Sequence, residues 1–156
     1  MPEARRVSRD KVLHHLQQEC DLIALLDTLV DNLLASVAAG DLEAVEVRSG
    51  ELSPVTAKLE QLRLATDEAE AELVVCYRDI PLEVRLAELG ELLPLRQERT
   101  AMLEKHLAKE QLFRRLLTEH MEGLADVGRN LSHTLRAFHG YRRAAQVDKP
   151  LLNVRK

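Results

Sequence analysis

The sequence predicts an all-α fold: an antiparallel helical bundle of three long helices with a short extra connecting helix. Three observations carry that prediction. Apolar residues recur every three or four positions from Val12 to Val37, through Leu16, Cys20, Ile23, Leu26, Val30 and Leu33. At about 3.6 residues per turn this spacing draws a stripe along one side of a helix. Aromatic residues are only 3 % and Trp is absent, so Leu and Ala must fill the core, as they do in bundles. Alternation of apolar and polar residues never persists beyond a few positions, so no strand pattern competes.

The elements follow in order. Residues 1–7 read as a frayed basic arm, with Ser8 or Asp10 as cap of a first helix that runs to about Ala39. A second apolar file, Leu22, Leu25 and Leu29, widens its stripe, which suits a helix with two neighbours, or with one neighbour and a partner chain. Gly40 supplies a left-handed stop, and Asp41 caps the next start. Beyond it, Gly50 and Ser53-Pro54 divide the chain into a short helix near 41–49 and a longer one from 54 to about 77. A single helix kinked at Pro54 is the alternative. Val55, Leu59, Leu62 and Leu73 to Val75 form the apolar side of this segment, and Asp67 to Glu72 reads as solvated. Asp79 is expected to cap a short leucine-rich connection from Leu82 to Leu93, broken by Gly90 and Pro94.

From Leu95 the pattern is helical to about Gly140. Met102, Leu103 and Leu107 lead in, the polar triplet Lys109-Glu110-Gln111 interrupts, and Phe113, Leu117, Met121, Leu124, Val127, Leu131, Leu135 and Phe138 follow. Gly123 and Gly128 each weaken such a helix by roughly 1 kcal/mol relative to Ala, marking a bend, a close contact or a segment that moves. The tail from about 141 to 156 is basic and loosely ordered, with Leu151, Leu152 and Val154 in it. The 156 residues make one helical-bundle domain, long enough to bury a core unaided.

Charge is unevenly spread along a chain of net charge −4. Between Asp41 and Cys76 nine acids face three bases, and from Gly128 to Lys156 seven bases face Asp148 alone. Two readings stand: oppositely charged faces within one bundle, or a basic end that steers a partner. Cys20 and Cys76 sit in apolar runs and read as buried thiols. The start, Met-Pro-Glu-Ala-Arg-Arg, has no signal-peptide pattern, and no run of about 18 apolar residues occurs, so a cytoplasmic protein is expected.

The residues offer little chemistry. Di-metal bundles use Glu-x-x-His; the residues three before the six histidines are Lys11, Val12, Leu103, Leu117, Asn130 and Arg136, so no metal is expected. His15 and Glu19 share a helix face as a surface pair. His14-His15 and Glu119-His120 lack a nucleophile or orienting group, so no enzyme and no cofactor are expected. The basic ends lack the aromatic rings that stack on nucleic acid. The amphipathic helices carry Asp and Glu where membrane binding needs a Lys/Arg majority. What remains is apolar helix surface, whose natural partner is another helix.

Several features together resemble the flagellar export chaperones of the FlgN type. They are the Leu22-Ile-Ala-Leu-Leu26 face, the turn Ala38-Ala-Gly40-Asp41-Leu42-Glu43-Ala44, and the run Ala57-Lys-Leu-Glu-Gln-Leu-Arg63. The leucine-rich connection and the ending Phe138-His-Gly-Tyr141 complete the set. The stretch Ala108 to Leu117 keeps the family's leucine pair and lacks its two asparagines. The resemblance implies a non-catalytic cytosolic chaperone. Its partners would be the C-terminal segments of hook–filament junction (hook-associated) proteins and a component of the type III export gate. Client binding is then expected at Phe113, Leu117, Met121, Leu124, Leu131, Leu135 and Phe138. Gate or partner contact is expected at Tyr141, Arg142 and Arg143. A monomer or weak homo-oligomer fits that role. The competing readings are a structural bundle that self-associates through the first helix, and an adaptor for another protein.

Overall fold

The computed structural model describes residues 2–120 and 125–146 and is all-helical there, with no strand among the described residues. Five helices follow in order: α1 (Glu3–Ala38), α2 (Leu42–Cys76), α3 (Leu82–Leu89), α4 (Leu92–His120) and α5 (Ala125–Gln146). Every residue of the predicted first stripe, Val12 through Val37, is buried. The wide stripe serves two neighbours of the same chain, since α1 packs against both α2 and α4. Leu22 and Leu29 of the second file pack against that core, and Leu25 stays half exposed.

The turn after α1 forms as its residues dictate. Gly40 takes a positive φ of 69°, where a side chain would be strained, and the Ala44 amide donates to Asp41 Oδ1 at 3.0 Å. The chain then reverses. Thr66 reaches Glu19, and Lys11 Nζ donates to Glu72 at 3.0 Å, so α1 and α2 run antiparallel. Arg99 meets Glu19 at 3.2 Å and Lys109 meets Asp31 at 2.9 Å, so α4 runs alongside α1 in the same direction.

Five expectations change. Residues 3–7 belong to α1, because Arg5 is anchored: its guanidinium bonds Glu88 at 3.1 Å and lies 5.5 Å from the Tyr77 ring centre. Between the two alternatives at Pro54, the single helix is the one that forms. Val45, Leu52 and Leu59, on both sides of the proline, are all buried in one cluster, and that packing holds the helix together across it. Pro81, not Asp79, precedes α3 as its N-cap. Pro94 sits in the first turn of α4, where the missing N–H is not needed.

The last change concerns the long final helix, which is two helices. His106 and Phe138 would lie about 48 Å apart on one rod at 1.5 Å per residue, yet their ring centres are 4.6 Å apart. The helix α5 therefore returns along the bundle and packs on α2 and α4.

Apolar burial divides into two clusters. The larger joins Ile23–Val37 of α1, Val45, Leu52 and Leu59 of α2, Leu103–Leu117 of α4, and Leu131, Leu135 and Phe138 of α5. The smaller joins Val12, Leu16, Ala69, Leu73, Tyr77, Leu89 and Leu92, and no described residue of α5 belongs to it. Tyr77 closes this end: its hydroxyl donates to Glu88 at 2.7 Å, and burial followed by that carboxylate pushes the phenol up to about 12.

Candidate functional site

Five of the seven residues expected to bind a client meet in one place. Phe113 and Leu117 of α4 and Leu131, Leu135 and Phe138 of α5 are all buried in the larger cluster. They form the seam where α5 lies on the rest of the bundle. Met121 and Leu124 lie outside the described residues. Tyr141, Arg142 and Arg143 fall within α5, with side chains outside the described set. The apolar tail residues Leu151, Leu152 and Val154 also lie outside it.

The amphipathic character of α5 explains its seat. Leu131, Thr134, Leu135 and Phe138 are buried at helical spacing, whereas Arg129, Arg136 and His139 are exposed. This is the pattern of a helix laid into a groove by one face. Alongside it, Ser53, Thr56, Ala57 and Glu60 of α2 and Arg129, His133, Thr134 and Ala137 of α5 border an open cleft of about 490 Å³. As the chain stands, the five residues are its own core. A partner reaches them only where α5 moves.

Several buried polar residues were not evident from the sequence. Glu19, read as half of a surface pair with His15, is fully buried between the two apolar clusters. It accepts from the Thr66 hydroxyl and from Arg99. Burial pushes its carboxyl above the ordinary value, against the opposing pull of Arg99 and Thr66. Next to it Glu70, from the stretch read as solvated, is 2 % exposed and pairs with Arg96 at 3.4 Å. Within the supposed interruption at Lys109-Glu110-Gln111, Glu110 is inside the core as well, while Gln111 is exposed. Glu110 and His106 are both fully buried and 3.1 Å apart. Lys109 binds Asp27 at 2.6 Å and Asp31 at 2.9 Å, and these bonds raise its ammonium above the ordinary value.

A usable signal was present for each. Glu19 follows Leu16 by three positions, and Glu110 precedes Phe113 by three and Leu117 by seven, so each is in phase with an apolar stripe. A charge in phase with a stripe is buried unless the helix rotates. Among the described residues, no group of three or more His, Cys, Asp or Glu is placed to hold a metal ion. No helix of the described residues is long and apolar enough to cross a membrane.

No protein-family model, no curated protein and no solved structure matches this chain.

Proposed function

We propose that the chain is a non-catalytic export chaperone of the flagellar type, which receives an amphipathic helix from the C-terminal segment of a hook–filament junction protein. The observation that supports this reading is the seam of α5. The bundle already holds one amphipathic helix by three anchors, Leu131, Leu135 and Phe138, on an apolar face of α4 that includes Phe113 and Leu117. A client helix has the same chemistry. It enters between α4 and α5 and uses the apolar residues of both.

In this reading α1, α2 and α4 are the three-helix scaffold, and α5 is the movable wall. Tyr141 and the basic residues Arg142 and Arg143 at its end meet the export gate in the cytoplasm. Self-association through the first helix is disfavoured by the burial of Leu26 and Val30 within one chain; an Asp at either position unfolds the protein rather than splitting an oligomer.

The test is methyl-detected NMR of the chain titrated with a synthetic C-terminal peptide of a junction protein. Saturable 1:1 binding that shifts the methyl groups of Leu117, Leu131 and Leu135 supports the proposal. Absence of binding, or shifts confined to the exposed faces of α1 and α2, refutes it.

A further inference from the structure

Glu110 stands in the floor of the seam. It belongs to the stripe of α4 formed by Leu103, His106, Phe113 and Leu117, and like them it is buried. A carboxyl group has two oxygens to satisfy, and only one is used here. Oε1 lies 3.1 Å from His106 Nε2, whereas Oε2, also buried, has no hydrogen-bond partner among the described residues. The lysines nearby are engaged elsewhere: Lys109 binds Asp27 at 2.6 Å and Asp31 at 2.9 Å, and Lys105 approaches Asp27 at 3.9 Å. His106 Nδ1 and Asp27 Oδ1, which also lack a hydrogen bond, lie 3.6 Å from each other on the α1 side of the ring.

The helix that covers this oxygen does not satisfy it. α5 runs opposite to α4, with the Phe138 ring 4.6 Å from that of His106. One turn on along α4 and one turn back along α5 therefore bring Glu110 level with Thr134 and Leu135. Leu135 has no side-chain donor, and the Thr134 hydroxyl makes no bond to Oε2. Buried polar atoms in folded proteins are nearly all paired, so an acceptor left over needs a reason. Leaving it unmet is costly, and a suitable donor removes that cost.

We propose that Glu110 sets the specificity of the seam: the helix it selects carries one side-chain N–H donor, from Lys, Arg, Asn or Gln, among its apolar anchors, and that donor bonds Glu110 Oε2. The inference rests on the reading of the seam as the client site, and it adds the polar feature a client must have. A helix with only apolar anchors covers the oxygen again, as α5 does, and gains no bond. A helix with the donor fills the acceptor in a site closed to water, and a site built to bond an N–H rejects an analogue that lacks it.

The experiment titrates the full chain, by calorimetry, with the synthetic C-terminal peptide of a junction protein. Each Lys, Arg, Asn and Gln on the apolar face of the peptide helix is replaced in turn by Met. One replacement should weaken binding by about tenfold or more, and the others by little. That selective loss should vanish against Glu110→Met and survive in part against Glu110→Gln, which keeps an amide oxygen. Where neither variant folds, the NMR signal of the Glu110 carboxyl in the parent chain decides: it should shift with the parent peptide and not with the peptide that lacks the donor. Tight binding by a peptide without such a donor, the same loss against Glu110→Met as against the parent, or an unmoved Glu110 signal overturns the donor and leaves the seam as a client site. No binding of any peptide to the parent chain overturns both.

Discussion

The charged layer that separates the two apolar clusters makes a sharp prediction. Glu19 is fully buried and its side chain is 3.2 Å from Arg99, itself only 7 % exposed. At an effective dielectric of about 20 the attraction at that distance is about 5 kcal/mol, and desolvation costs several kcal/mol per ion, so the pair is close to balance. Removing one member is different, because the other keeps its desolvation cost. Glu19→Leu alone should cost about 3–5 kcal/mol. For a chain of this length that lowers Tm by roughly 10 °C or more. The triple change Glu19→Leu, Thr66→Val and Arg99→Met removes the whole group and should fall between neutral and about 4 kcal/mol more stable than the parent. Urea denaturation followed by helical circular dichroism measures both.

A pH arm sharpens the test. Burial holds the Glu19 carboxyl above its ordinary value, so its contribution favours the fold below the ordinary carboxylate range and is lost as pH rises through the raised value. The advantage of the triple variant should therefore be larger at neutral pH than in acid. A single variant that costs less than about 1 kcal/mol, or a triple variant that loses as much as the single one, would refute the reasoning.

Other outcomes follow from single positions. Gly50 lies inside α2, where an added Cβ meets nothing within 4 Å, so Gly50→Ala should stabilise by about 0.5–1 kcal/mol in the same denaturation assay. Gly40 has equal space but a φ of +69°, and Gly40→Ala should destabilise by about 1 kcal/mol, so the two alanines separate helix propensity from backbone strain. The Cys20 thiol is 5 % exposed and pushed up to about 11 by burial, whereas Cys76 is half-buried with its sulfur 3.7 Å from the Ser8 hydroxyl. A thiol reagent near neutral pH should modify Cys76 first and reach Cys20 only on unfolding, a sequence that mass spectrometry resolves; fast modification of Cys20 in the folded chain would contradict its burial.

The sequence made the helices legible wherever one face repeats without interruption. The stripe of α1 predicted its buried residues, and Gly40 and Asp41 predicted the turn because each has a local stereochemical reason to be there. At Pro54 local propensity pointed to a break, but buried apolar residues on both sides hold one helix together. The return of α5 was hidden because spacing at three and four continues in phase through Met121 and Leu124, so two helices read as one. The candidate seam was half legible. Its apolar residues followed from periodicity. That they face each other, and that His106, Glu110 and Asp27 lie beneath them, depends on pairing between distant segments that a linear pattern does not encode.

The proposed role of this bundle is to receive the C-terminal segment of a hook–filament junction protein. The most direct measurement is calorimetric titration of the purified chain with such a protein, intact and with that segment removed. The chaperone reading predicts a 1:1 complex with the intact client, a negative heat-capacity change from buried apolar surface, and no binding once the segment is gone. Equal binding to both forms, or no binding by a chain that instead forms a stable oligomer, would contradict it.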